Sequence, residues 1–419
     1  MSSYKQGKNV VKILRNAQEL QDEGEKLFGK DIKITQKHRM RPIELPLEET
    51  VGLDLMFEKV WKSIDDKNVG VIGLHGMGGV GKTTLLKKIN NKFGKESQIF
   101  MLCGWWYLKD VCVKMHSERK FEVKILTEKE ALELFHMKVG VETLNSNPSI
   151  PRLVMEMARE CKELPLALAV VGSAMAGVES VEAWEHSKNN LRSSSYTASG
   201  LETKVFSILK FGYDQLPDET HKNCFLYCAL YPEDYEIMVY DFIDKWIREG
   251  FLYTDSPRNV REMCGYGGSI IEKLKLSCLL ESVEDEIFLE CTIKMHDVIH
   301  DMALWIACDQ DGSKMKVMVQ EDAWALSQAN AEKGEMVERI LIMKDIGSQI
   351  PIMAWRNLMT LCLNVEYNHG AITGLQNIQH SSRLKVLELR GVPNVPAEIG
   401  GLIHLEYLSL QVVELQKVS

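Results

Sequence analysis

Eight consecutive residues, Gly76-Met77-Gly78-Gly79-Val80-Gly81-Lys82-Thr83, complete the spacing G-x-x-x-x-G-K-[ST] directly after an apolar run. That spacing suits the holding of a nucleoside di- or triphosphate. Glycine removes the Cβ atoms that would keep backbone N–H groups away from phosphate oxygens, and a helix starting at the end of the loop turns its positive end towards the same anion. The Lys82 ammonium then reaches the terminal phosphates and the Thr83 hydroxyl ligates Mg²⁺. Gly76, Gly78, Gly79, Val80, Gly81, Lys82, Thr83 and Thr84 are therefore the candidate phosphate-binding residues, and Thr83 is also the candidate metal ligand.

A second pattern, His296-Asp297-Val298-Ile299-His300, places two histidines four apart, the helical spacing of zinc metalloproteases. Asp297 decides against that chemistry. It stands where a glutamate is needed, and its shorter side chain would hold the carboxylate too far from a metal-bound water. The ten cysteines include no Cys-x-x-Cys pair, so they read as small buried hydrophobes rather than zinc ligands or a disulfide framework.

The flanks of the glycine loop have the form it requires. Val69-Gly70-Val71-Ile72-Gly73-Leu74 reads as a buried strand and Thr84-Leu85-Leu86-Lys87-Lys88-Ile89 as a helix, so the glycines sit where a strand turns into a helix N-terminus. Upstream, Val10, Val11, Leu14, Ala17 and Leu20 give a short apolar stripe before Pro42 and Pro46, which reads as a helix tail and a linker rather than a full coiled coil. Downstream, residues 148–190 show helical periodicity centred on Leu164-Pro165-Leu166-Ala167. Residues 201–330 alternate helical stretches with short β-like pieces such as Glu286-Ile287-Phe288-Leu289, as expected of a compact helical domain carrying a small hairpin.

A length of 419 residues allows roughly two to four domains. A formal charge of −9 argues against a surface that binds nucleic acid through its phosphates. The first residues lack the apolar core of a signal peptide, and no stretch approaches the roughly 20 apolar residues of a membrane span. A cytoplasmic protein is expected, with peripheral attachment at the plasma membrane as the alternative.

After about residue 335 the spacing L-x-x-L-x-L appears four times, as Val337/Ile340/Ile342, Leu358/Leu361/Leu363, Leu384/Leu387/Leu389 and Leu405/Leu408/Leu410. The starts lie 21, 26 and 21 residues apart, inside the roughly 20–29 residue period of leucine-rich repeats. In such a unit the alternating leucines of a short strand face a shared core, so each repeat needs a neighbour. With no polar capping repeat before Ser419, the last face is expected to be exposed.

In this order the motifs resemble those of plant intracellular immune receptors of the nucleotide-binding, leucine-rich-repeat class, in the coiled-coil rather than the Toll-like branch. Val51-Gly52-Leu53-Asp54 resembles the family segment that lies over the adenine, and Leu164-Pro165-Leu166-Ala167 resembles the helical-domain motif whose proline packs near the base. Cys224-Phe225-Leu226-Tyr227-Cys228-Ala229-Leu230-Tyr231-Pro232-Glu233-Asp234-Tyr235 and Phe242-Ile243-x-x-Trp246-x-x-Glu249-Gly250-Phe251-Leu252 resemble the winged-helix domain, and Met295-His296-Asp297 the methionine-histidine-aspartate switch. The resemblance adds Val51, Gly52, Pro165 and His296 to the nucleotide-binding set, His296 as the group that contacts the β-phosphate of ADP in relatives. Position 163 is Glu where relatives usually carry Gly.

One stretch departs from the family. Only 28 residues separate Lys82 from Val111, too few for the strand ending in Asp-Asp that holds Mg²⁺ and orients water in P-loop ATPases. Phe100-Met101-Leu102-Cys103-Gly104-Trp105-Trp106-Tyr107-Leu108-Lys109 matches neither that strand nor the family's Thr-Thr-Arg sensor. Asp110-Val111-Cys112-Val113-Lys114-Met115 already resembles the segment that relatives place after their arginine-bearing sensor strand. An internal deletion or altered splice junction is the expectation, leaving at most a weak ATPase.

The resemblance thus implies a multidomain α/β plus α fold. Residues 1–50 form a coiled-coil tail and linker, 51–147 an incomplete P-loop parallel-sheet module, 148–200 a helical domain, 201–330 a winged-helix domain and 331–419 partial leucine-rich repeats, the whole truncated at both ends. It implies an ADP- or ATP-binding switch of innate immunity, using Mg²⁺, whose partners are a pathogen effector or a guarded host protein, with self-association or pairing with a full-length receptor. The alternative is a non-hydrolysing interaction fragment or decoy acting through its repeats and winged helix.

Overall fold

The computed structural model describes residues 47, 49–66, 69, 71–96, 117–197, 200–231, 235–253, 259–283, 292–308, 317–320, 338–342, 357–364, 378, 381–392 and 397–412. The expected helix tail before residue 47, the divergent segment 100–115 and the β-like residues 286–289 lie outside them. The chain forms two compact units, residues 1–190 and 191–419.

In the first unit, helix α1 (Asp54–Ile64) buries Phe57, Val60 and Trp61, a spacing of three and four that keeps all three on one face. Strand β1 (Ile72–His75) leads through the glycine loop into α2 (Lys82–Glu96), which buries Leu85 and Ile89. Strand β2 (Arg119–Glu122) pairs with β1 in parallel, from Ile72 opposite Arg119 to His75 opposite Glu122. A parallel pair needs a crossover connection, and α2 lies in it. Helix α3 (Glu128–Val139) starts with a reciprocal cap: the Glu130 N–H donates to Thr127 Oγ1 and the Thr127 N–H to Glu130 Oε2 at 2.8 Å.

After the short α4 (Val141–Ser146), α5 (Ile150–Glu160) buries Ile150, Leu153, Val154, Met157 and Ala158, and α6 (Pro165–Met175) is buried on most of its circumference. Gly172 lets α6 approach α3, since a Cβ there would stand 2.9 Å from Lys138 Cβ. The first unit ends inside α7 (Val181–Thr197), where the buried Trp184 donates its indole N–H to the Val178 carbonyl at 2.8 Å.

The second unit continues through α8 (Leu201–Asp214), α9 (Glu219–Cys228), β3 (Ile237–Met238), α10 (Val239–Arg248), α11 (Val260–Leu276), β4 (Glu281–Val283), β5 (Thr292–Lys294) and α12 (Asp297–Cys308). Strands β3, β5 and β4 form an antiparallel sheet in that order. Its helices pack on an aromatic cluster in which Phe242 lies 5.6 Å from Tyr227, 5.5 Å from Tyr231 and 4.8 Å from Trp246 between ring centroids.

Next comes a parallel sheet of five strands lying side by side in chain order: β6 (Val317–Gln320), β7 (Arg339–Ile342), β8 (Thr360–Asn364), β9 (Val386–Val392) and β10 (Tyr407–Val412). The last two positions of each L-x-x-L-x-L spacing fall on β7 to β10, whereas β6 is a strand that spacing does not reach. Alternate residues Ile340, Leu361, Leu363, Leu387 and Leu389 are buried on one face. The equivalent Leu408 and Leu410 on β10, the last strand among the described residues, are exposed.

Candidate phosphate-binding site

The glycine loop runs from the end of β1 to the start of α2, in the strand-to-helix setting its spacing predicts. Gly76, Gly79 and Gly81 have φ of 153°, 72° and 96°, left-handed backbone that a Cβ penalises. Two of them are also held by close neighbours. A Cβ on Gly76 would stand 2.4 Å from the Val123 carbonyl oxygen, and one on Gly79 would stand 2.7 Å from Leu166 Cβ.

These approaches bring three chain segments together. The Leu166 N–H, in the first turn of α6 directly after Pro165, donates to the Gly79 carbonyl at 3.1 Å. The Leu126 N–H donates to the Glu163 carbonyl at 3.1 Å, which ties the turn before α6 to the chain leaving β2. Gly52, with φ 75°, lies against Leu126, and a Cβ there would stand 2.5 Å from Leu126 Cδ2. The buried Leu53 beside it faces Gly81, where a Cβ would stand 3.8 Å from Leu53 Cδ2. The sequence-predicted Val51, Gly52, Gly76, Gly78, Gly79, Val80, Gly81, Lys82, Thr83, Thr84 and Pro165 therefore all belong to one contiguous region of the first unit. Leu53, Leu126 and Leu166 hold that region together; their apolar type alone does not distinguish them from other core leucines.

Lys82 is largely buried, and its ammonium donates to the carbonyls of Gly76 at 3.0 Å and Met77 at 2.9 Å. The cation thus curls back over the loop, where it would also meet a bound phosphate. Val80 is fully buried, and Gly78, Thr83 and Thr84 are partly exposed. Lys88 donates to Thr50 Oγ1 at 3.1 Å and pairs with Asp54 Oδ1, fastening α2 to the start of α1. Among the described residues no group of three or more His, Cys, Asp or Glu side chains is placed to hold a metal ion.

His296 belongs to the second unit, just before α12. Its Nδ1 lies 2.5 Å from Asp297 Oδ1, and the same carboxylate oxygen accepts the Val298 N–H at 2.6 Å. Asp297 thereby satisfies an N-terminal amide of α12 and orients the His296 ring.

Comparison with known proteins bears on the origin of this arrangement. Residues 53–108 match the NB-ARC domain model and residues 230–303 the disease resistance protein winged helix domain model. The probable disease resistance protein At5g63020 of Arabidopsis thaliana is 31% identical over 494 residues, covering 98% of this chain and 54% of the relative. The disease resistance protein RPS5 of Arabidopsis thaliana is 31% identical over 493 residues, covering 97% of this chain and 54% of the relative. The chain belongs to the NB-ARC disease resistance protein family. It spans about half the length of these relatives.

Family membership gives the two units their chemical setting. The glycine loop lies in the NB-ARC match, and α10, β4, β5 and His296 lie in the winged-helix match. No helix among the described residues is long and apolar enough to cross a membrane.

Proposed function

We propose that the chain is an ADP- or ATP-binding switch of plant disease resistance whose capacity for hydrolysis is lost or small. The observation that carries this reading is the junction of Gly79 with Leu166. A glycine loop built for phosphate is pinned by a backbone hydrogen bond to the first turn of α6, so occupancy of the loop bears directly on the helical segment behind it.

The residues present fit a nucleotide. Gly76, Gly79 and Gly81 hold the loop in left-handed backbone, a form in which successive amides can converge on an anion, and the Lys82 ammonium lies against the loop's own carbonyls. Backbone amides of residues 78–83 and the Lys82 ammonium would hold the phosphates, Thr83 would hold Mg²⁺, and the segment at Val51 and Gly52 with Pro165 would border the base. His296 would sense the β-phosphate, by analogy with the family switch. A bound Mg²⁺ would supply charge neutralisation between the phosphates.

Weak hydrolysis is read from the 28 residues between Lys82 and Val111, too few for the strand that holds Mg²⁺, and two facts accord with an internal deletion. The NB-ARC match ends at residue 108. The alignment with At5g63020 runs over 494 residues, whereas 98% of this 419-residue chain is about 411. About 83 aligned positions of that relative therefore have no counterpart here. Calorimetric titration with ADP and ATP, using Lys82→Ala as the control, tests the proposal. Saturable ADP binding abolished by the substitution supports the switch, and ATP turnover that vanishes in Lys82→Ala would overturn the weak-hydrolysis part.

The same alignment difference favours a second reading, in which the chain acts as an interaction fragment or decoy through its winged helix and leucine-rich segment. Absence of nucleotide binding by a chain that melts cooperatively would select it. A pathogen effector, a guarded host protein or a full-length receptor would then be the partner.

A further inference from the structure

We infer that Lys124, just past the carboxyl end of β2, is a second phosphate-binding cation of the glycine-loop site and raises its affinity for ATP relative to ADP. This role rests on the nucleotide-binding reading and names the residue that tells a triphosphate from a diphosphate.

Strand β2 runs parallel to β1 and ends level with it, His75 standing opposite Glu122. Ligands of parallel sheets lie outside the carboxyl ends of the strands, so the residues after Glu122 share a crevice with the glycine loop. The pairing continues past the strand ends. The Val123 N–H donates to the His75 carbonyl at 2.8 Å, and the Val123 carbonyl oxygen would lie 2.4 Å from a Cβ on Gly76. Lys124 is the next residue of a segment already in contact with the first glycine of the loop.

The far side of Lys124 is anchored as well. Leu126 is buried, and its N–H donates at 3.1 Å to the Glu163 carbonyl in the turn before α6, while Leu166 in α6 donates to Gly79. Residues 76–79, 123–126 and 163–166 therefore meet as three sides of one rim. Between the anchors at Val123 and Leu126, Lys124 and Ile125 are exposed. Ile125 brings no charge. The Lys124 ammonium makes no ion pair or hydrogen bond among the described residues, whereas Lys162, also on the rim, lies 3.8 Å from Glu160. Because the backbone is held on both sides of Lys124, only side-chain rotamers remain to be fixed when its ammonium meets an anion.

Lys82 and Lys124 then divide the phosphates between them. The loop amides and the start of α2 suit the phosphate within the loop, and Lys82 lies there against the Gly76 and Met77 carbonyls. A third phosphate projects beyond the loop with a further negative charge, towards the strand end that carries Lys124. ATP gains a charge-assisted hydrogen bond from it. With ADP the ammonium stays in water, where a more distant charge contributes little.

The test is calorimetric titration of the full chain with ADP and with β,γ-imido-ATP, each with Mg²⁺, alongside thermal melts. The chains compared are the parent, Lys124→Ala, Lys124→Arg and Lys120→Ala. Lys120 is exposed on the same face of β2 but stands opposite Gly73, away from the loop. Lys124→Ala should weaken the triphosphate by about tenfold and ADP by less than about threefold, at the parent melting temperature. Lys124→Arg should keep the parent ratio of the two affinities, and Lys120→Ala should leave both within about twofold.

An unchanged ratio in Lys124→Ala, equal weakening of both nucleotides, or an equal effect from Lys120→Ala would overturn the inference and leave nucleotide binding in place. A parent that melts cooperatively yet binds neither nucleotide overturns the nucleotide-binding reading and this role of Lys124 with it.

Discussion

The Leu166 N–H donates to the Gly79 carbonyl at 3.1 Å, and a single added methyl on Gly79 would stand 2.7 Å from Leu166 Cβ. One glycine thus joins the phosphate loop to the helix that begins at Pro165. The loop and α6 are in effect one structural element, although more than 80 residues separate them in the chain.

Gly79→Ala is expected to fail on both counts. The left-handed φ of 72° costs about 1–2 kcal/mol for a residue with a Cβ, and the contact with Leu166 adds overpacking of similar size. Thermal melting should show a loss of about 2 kcal/mol or more, and titration should show no ADP binding. A variant that keeps the parent melting temperature would mean that α6 does not rest on the loop as described.

Glu163 and Lys162 both have φ near 55° without being glycine. At Glu163 it is the backbone carbonyl, not the side chain, that accepts the bond from Leu126. Glu163→Gly relieves about 1–2 kcal/mol of left-handed strain and costs about 0.5–1 kcal/mol in unfolded-state entropy. A net gain of about 0.5–1 kcal/mol is expected, seen as a raised melting temperature. A fall would show that strain at this turn is not what the substitution changes.

Thr127 and Glu130 cap α3 reciprocally and stand beside Gly52, whose Cβ would lie 3.1 Å from Glu130 Cδ. Thr127→Ala should cost about 1 kcal/mol in chemical denaturation. Because Glu130 borders the segment at Gly52, ADP affinity should weaken as well. Equal stability in the two chains would contradict the capping role.

The buried charges of the second unit have a pH signature. Burial raises the Glu388 carboxyl, but Lys245 and then Arg390 outweigh it and hold it below the ordinary glutamate value. Such a group contributes stability that is present above its unfolded value and is lost as pH falls through the folded one. Glu249 runs the other way: burial outweighs Arg339 and raises it, so its ionisation opposes folding as pH climbs past the ordinary glutamate value. Lys245 is lowered by burial and raised more by Tyr231, Cys362 and Glu388, so its contribution persists below the ordinary lysine value and fades only as pH rises through the higher folded one. As pH falls below the ordinary glutamate value, Glu388→Gln, weaker at neutral pH, should therefore lose less of its urea midpoint than the parent does. An equally steep fall in the variant would show that Glu388 gains nothing from Lys245.

Some features of this chain are legible in the residue string because they are local. The loop from Gly76 to Thr83 is set by glycine φ preferences and by a strand and helix that adjoin it, so its position follows from spacing. The alternation at Leu361/Leu363 and Leu387/Leu389 has the period of a strand, so those strands can be read from the string. The helix at Pro165 follows from proline's fixed φ. The class of fold is implied by the family resemblance that these motifs carry together.

Tertiary structure decided what depends on distant residues meeting. Nothing near Gly79 in sequence says that Leu166 will close on it, and β6 has no leucine spacing to announce it. Nothing adjacent to Lys245 or Glu388 in the sequence says that the two will meet. They become a buried pair because folding places them together away from water, where a charge persists only beside its opposite. A linear pattern records which residues can be buried; only the packed chain determines which charges are buried together.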